Sequence, residues 1–142
     1  MTQHLMKVSN LPVFLTNALQ QEDYIVHDHA HIIDPEALTK VTALVGTGIP
    51  YRANLKWKDA YLKMLGSVME HTAGVRRPGS AALDLAYVAA GRFDCFFELG
   101  LSPWDTAAGI LLIQEAGGSV GTFTGKAYED GGHLVAGSPR AY

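Results

Sequence analysis

Residues 93–118 read FDCFFELGLSPWDTAAGILLIQEAGG, and the way this stretch divides decides the fold. Phe93 to Leu99 alternates, placing Cys95, Phe97 and Leu99 on one face and Phe96 with Glu98 on the other, which is the period of a strand. From Trp104 the period changes. Trp104, Ala107, Ala108, Leu111 and Leu112 recur at helical spacing along one stripe, and Gly117 with Gly118 supplies the stop. The small residues of that stripe predict close contact between helix and sheet.

The same alternation of periods runs outward on both sides. TALVGTG (42–48) is a short apolar strand ended by glycines, and IPYR (49–52) leads away from it. Trp57, Tyr61, Met64, Leu65 and Val68 then mark one face of a helix, with Lys56, Lys58, Asp59 and Lys63 mostly on the other. RRPGS (76–80) is a turn. AALDLAYVAAG (81–91) is a helix so apolar that it must be covered nearly all round, with Gly91 as its C-cap and Asp84 as the exception. SVGTFTG (119–125) and HLVAG (133–137) read as two short strands about a glycine-rich turn. Strands taking turns with helices predict an α/β fold, a layered sandwich with a mixed sheet flanked by helices.

The first forty residues differ, with no clear alternation through QQEDYIVHDHAHII (20–33), and read as an atypical segment 1–40 ahead of a domain at 41–142. Asp34 and Pro35 form a helix start, as N-cap and first helical residue. On a strand, alternate members of His27, His29 and His31 would share a face and could grip zinc or nickel in pairs. With no cysteine or fourth ligand nearby, surface histidines are the plainer reading.

Composition narrows the partners. A chain of 142 residues with 48% hydrophobic content suits a single core. Its net charge of −3 gives no long-range attraction for polyanions, so neither nucleic acid nor an anionic membrane is expected as the main partner. Cys95, the single cysteine, cannot form an internal disulfide and reads as a buried thiol. The N-terminal MTQHLMKVSNLPVFLTNAL lacks the basic and long apolar regions of an export signal and is too short in its apolar part to span a bilayer, which predicts a cytoplasmic setting.

Three features seek anions or hydroxyls. Gly79, Ser80 and Ala81 place a glycine before a helix start, where free backbone N–H groups meet ligands, though a plain serine cap fits as well. Glu98 is an acid on the polar side of an apolar strand, suited to hydrogen-bonding polyol hydroxyls or to simple solvation. Asp105 follows Trp104 in the first turn of a helix. There an acid is favourable in its own right, and there too a carboxylate steadied by a bulky neighbour could hold a divalent cation.

GSAALDLAYVAAGRFDCFFELGLSPWDTAAGILLIQEAGG (79–118) closely resembles the C-terminal signature of the inositol monophosphatase family, especially bacterial inositol-1-monophosphatases. The resemblance runs from Val41 to Tyr142, with GTGIPYR (46–52) and HLVAGSPR (133–140) near its ends. It implies a magnesium-dependent, lithium-sensitive phosphomonoesterase of αβαβα layers, often dimeric, acting on inositol 1-phosphate or a related sugar or polyol phosphate. It also implies that Asp105 is a catalytic metal ligand that meets a substrate hydroxyl, that Glu98 binds inositol hydroxyls, and that Gly79, Ser80 and Ala81 contact substrate. The family's other half carries a glutamate and an Asp-Pro-Ile/Leu-Asp-Gly-Thr motif that supply most metal ligands. Here Asp34-Pro35-Glu36-Ala37-Leu38-Thr39 is the nearest candidate, with Ala37 where the second aspartate belongs. The expectation is therefore the C-terminal half of a phosphatase, and the alternative is a non-catalytic assembly or binding remnant.

Overall fold

Among the described residues, five short strands hydrogen-bond into one mixed sheet: β1 (Leu44–Thr47), β2 (Gly74–Arg76), β3 (Cys95–Leu101), β4 (Ser119–Gly121) and β5 (Gly132–Gly137), in the order β2-β1-β3-β5-β4. This computed structural model describes residues 43–129 and 131–138. The His27–His31 segment, the Asp34 helix start and the boundary near residue 40 lie outside them. β1 pairs in parallel with β2 and β3, whereas β5 runs antiparallel to β3 and β4. Three helices of the described residues flank the sheet: α1 (Lys58–His71), entered through a 3-10 turn over Arg52–Trp57, α2 (Ala81–Ala89) and α3 (Pro103–Glu115). The layered α/β sandwich read from the alternating periods is the fold observed.

β3 organises both layers because its alternation feeds two cores. Cys95, Phe97 and Leu99 pack with Val45, Tyr61 and Val68 under α1, while Phe96 packs with Leu85, Val88 and Ile113 under α2 and α3. Fully burying Phe96 and Phe97 on opposite faces contributes about 2–3 kcal/mol each. The Cys95 thiol is buried, and that burial raises its pKa. The strand runs two residues past Leu99 through a bulge between Glu98 and Leu101. Gly100, at φ 72°, is the inserted residue, and it turns Leu101 into the α2–α3 core when strict alternation would send it under α1. Asn54 Nδ2 donates to the carbonyls of Leu99 and Gly100 at 3.3 and 3.2 Å, and Gly100 N–H donates to His133 Nδ1 at 3.2 Å, so the bulge is clamped.

Three local expectations are corrected. β2 occupies Gly74–Arg76, so Arg76 ends a strand; three residues with a glycine carry too little period to read. The stripe of Trp104, Ala107, Ala108, Leu111 and Leu112 does not face the sheet. Trp104 is 82% exposed, and α3 buries Thr106, Gly109 and Ile113 instead. Gly109 lies against the Leu85 side chain, and that close helix contact selects the packed face. α2 is covered on the side of Asp84, Leu85 and Val88 only, leaving Ala82 and Leu83 exposed. Among the described residues no helix is long and apolar enough to cross a membrane.

Candidate active site

Because β1, β2 and β3 are parallel, their C-terminal ends share one edge of the sheet, and α2 and α3 begin there after β2 and β3. Open α/β sheets bind ligands at such an edge. The structure brings all of the expected site segments to it.

Gly79 adopts φ 93°, a left-handed conformation that a side chain resists, and turns the chain into α2. Ser80 is the extended N-cap, but its hydroxyl makes no capping bond. The plain serine cap is thus not what is built, and the first-turn N–H groups are left to other acceptors. Ala81 is half-buried and packs toward the α2–α3 core.

Glu98 lies on the Phe96 side of β3, opposite Leu134 of β5. Its carboxylate rests directly on Gly48, where any Cβ would collide with it. Burial, with smaller contributions from the charges of Asp84 and Asp105, pushes Glu98 up to about 7 against the pull of Arg77. Gly48→Ala is expected to force the side chain outward and return its titration toward the ordinary value near 4.5. A carboxyl-carbon NMR titration of Glu98 reads this directly, and a midpoint still near 7 would mean that Gly48 does not seat the carboxylate.

Asp105 stands in the first turn of α3, and the Ser102 N–H donates to its Oδ2 at 3.1 Å. This bond fixes the carboxylate, and the neighbouring Trp104, expected to steady it, points to solvent. The favourable first-turn acid is present as such.

Asp84 belongs to the same corner, although sequence reasoning left it outside the site. It is 1% exposed, and neither carboxylate oxygen has a hydrogen-bond partner among the described residues. Burial pushes it up to about 6, opposed by Arg77. An ionisable residue in an otherwise apolar helix was the available signal. Arg77 was read as part of a turn, but its guanidinium lies 5.3 Å from the Tyr51 ring centroid and is the cation that tempers both carboxylates. Gly48 and the Asn54–His133 clamp were also missed, since only the folded register places them against β3.

Carboxylate oxygens are the right kind of ligand for magnesium, which takes near-octahedral oxygen coordination. Among the described residues, however, no group of three or more His, Cys, Asp or Glu is arranged to hold a metal ion. These side chains do not make a magnesium site by themselves.

Two helix starts and three acids thus meet at the C-terminal edge of the parallel strands of an α/β sandwich. The chain belongs to the inositol monophosphatase family, whose sequence model matches residues 15–142. It is 56% identical over 102 residues to Nus factor SuhB of Pseudomonas aeruginosa, covering 70% of this chain and 38% of that protein. The Escherichia coli Nus factor SuhB is 53% identical over 98 residues, 68% of this chain and 36% of that one. Among solved structures, inositol monophosphatase from Anabaena superposes with a TM-score of 0.61 at 40% identity, covering 68% of this chain and 40% of that one. Extragenic suppressor protein suhB from Bartonella henselae gives 0.60 at 42% identity, with 72% and 39% covered. The chain thus spans under two-fifths of the length of the two curated relatives, over the C-terminal part of the family.

Proposed function

We propose that this chain is the C-terminal half of a magnesium-dependent phosphomonoesterase for inositol 1-phosphate or a related sugar or polyol phosphate. The observation that carries the reading is the meeting of Glu98, Asp105 and the start of α2 at one sheet edge. Glu98, near neutrality in its titration, both accepts from and donates to substrate hydroxyls. Gly79, Ser80 and Ala81 present backbone N–H groups to the ester, and Asp105 meets a substrate hydroxyl and supplies one leg of the metal site. Magnesium, when bound, would activate water and stabilise the developing charge. The remaining ligands must come from outside the described residues. A cytoplasmic setting and a homodimer form part of the same reading.

Magnesium-dependent phosphate release from inositol 1-phosphate tests it, with Asp105→Asn prepared identically. A ligand worth several kcal/mol of transition-state stabilisation implies a fall of about 100-fold or more in the variant. Release unchanged by the substitution would remove Asp105 from the site.

The name Nus factor SuhB, borne by the relatives, supports a second reading in which the chain acts by binding partners rather than by turnover. The exposed Trp104, Leu111 and Leu112 favour it. The expectation that nucleic acid is not the main partner rests on net charge alone, and that name gives it no support.

A further inference from the structure

The clamped bulge at Gly100 sits between the two acids that β3 and α3 bring to the candidate site. Glu98 lies just before it on β3, and just after it comes Ser102, whose N–H holds the Asp105 carboxylate at 3.1 Å. At the bulge the β3–β5 ladder changes register: Glu98 faces Leu134 and Leu101 faces Gly132, so His133 on β5 faces the Leu99–Gly100 pair. Leu134 packs into the α2–α3 core, which turns its neighbour His133 to the α1 side of the sheet. There the ring stands edge-on to Trp57, with centroids 4.6 Å apart, and tilted against Phe123 at 6.0 Å. The 3-10 turn closes over the bulge so tightly that a Cβ at Gly100 would come within 2.6 Å of Asn54 Oδ1 and of Trp57 Cζ3. Past the bulge, Gly131 at the entry to β5 lies against the Leu101 carbonyl and Pro103, the first residue of α3. The chain from Glu98 to Asp105 is thus steered from β5 and the 3-10 turn.

We infer that His133 is a positioning residue for this acid pair: by accepting from the Gly100 N–H it fixes the path of β3 into α3, and with it the place of Asp105 relative to Glu98. The inference rests on the reading of Glu98 and Asp105 as a substrate-binding corner. His133 can do this only as a neutral ring. Because Gly100 donates to Nδ1, the ring proton belongs on Nε2; once protonated, the imidazolium carries N–H at both nitrogens and opposes the backbone donor. Burial, and after it the charge of Lys56 on the 3-10 turn, lower the pKa of the ring and so favour the form that accepts. Its other neighbours, Asn54, Trp57, Gly100 and Phe123, carry no charge. The bond is therefore made at neutral pH and released in acid, and the geometry of the corner follows the protonation of a side chain that does not belong to it.

The test is NMR of the isotope-labelled full chain, following the His133 ring and the Gly100 and Ser102 amides between about pH 5 and pH 8. Both amides are expected to shift with the ring at one common midpoint, below the ordinary histidine value of 6.5. As the ring is protonated, their protection factors against hydrogen exchange should fall by about tenfold. Two variants separate the acceptor from the packing. His133→Phe keeps an aromatic ring against Trp57 and Phe123 but cannot accept, and its two amides should be in the released state at every pH. His133→Asn sets an acceptor oxygen near the Nδ1 position and does not titrate, so its amides should stay protected throughout. The wild-type titration needs no substitution and decides the matter even where a variant fails to fold. A Ser102 amide indifferent to the protonation of the ring overturns the inference, and so does a folded His133→Asn that behaves as His133→Phe does. Phosphate release from inositol 1-phosphate is read separately on the same proteins. Its absence from all of them removes the phosphatase reading, while a Ser102 amide that follows the ring still upholds His133 as the residue that positions Asp105.

Discussion

Replacing Gly109 with alanine is expected to lower the unfolding midpoint by about 5–10 °C, corresponding to about 2 kcal/mol or more. By propensity alone the change would stabilise a helix interior by about 1 kcal/mol, because glycine gives up more backbone freedom. Packing reverses the sign. A Cβ at Gly109 would overlap the Leu85 Cβ and crowd its Cδ1 at 2.7 Å, and these atoms sit too close to the α2 backbone to swing away. α2 and α3 would have to separate, disturbing the core of Leu85, Val88, Phe96 and Ile113. Gly66 is the matched control. It too is inside a helix, but nothing lies within 4 Å of its Cβ position, so Gly66→Ala should stabilise by about 0.5–1 kcal/mol. Thermal unfolding of both variants by circular dichroism checks the pair. Equal shifts of one sign would show that propensity rather than packing decides.

The second large effect is a pH dependence that runs against ordinary acid denaturation. The Asp84 carboxyl has a folded value of about 6 against 3.8 for a free group, so the native state binds its proton more tightly than the unfolded chain does. Below about pH 4 both states are protonated and the group contributes no penalty. As pH rises from about 4 through 6, the unfolded state ionises first and stability falls. Above that the penalty is constant. Two pKa units correspond to about 2–3 kcal/mol at full development. Asp84→Asn should therefore remove a loss of about 2 kcal/mol between pH 4 and pH 8, whatever offset the new amide adds at all pH values. Glu98, raised from 4.5 to about 7, acts with the same sign, and Glu98→Gln should flatten the remainder of the slope between about 4.5 and 7. The measurement is urea unfolding at several pH values for the wild type and both variants. Parallel curves would mean that neither carboxylate is held in a protonation state different from that of the unfolded chain.

Much of the fold was legible because local periodicity is a local property. Phe93–Leu99 announced a two-faced strand, and both predicted faces are found. Gly91 closes α2 at φ 66°, as its position after an apolar helix predicted. Tyr61, Met64 and Val68 form the buried side of α1 as read. The fold carries the candidate residues Gly79, Ser80, Ala81, Glu98 and Asp105 to one sheet edge. That convergence follows from the rule that helices after parallel strands start at the same side.

What failed to read from sequence shares one physical origin. In α3, apolar residues surround the helix, so periodicity could not choose a face. The choice was made by Gly109 meeting Leu85, a contact between residues 24 positions apart that needs both helices in place. The bulge at Gly100 depends on Asn54 and His133, which come from either side of it along the chain. The seat of Glu98 is Gly48, fifty residues earlier, just past the end of β1, which pairs in parallel with β3. Along the chain, every helix and every strand but β2 is legible, as are Glu98 and Asp105 as candidate carboxylates, since propensity, period and residue chemistry are carried by neighbours. Which helix face is buried, which glycines must remain glycines, and that Asp84 joins Glu98 and Asp105 at one corner come from the folded arrangement. Close packing and charge coupling act through space between residues that the chain keeps far apart.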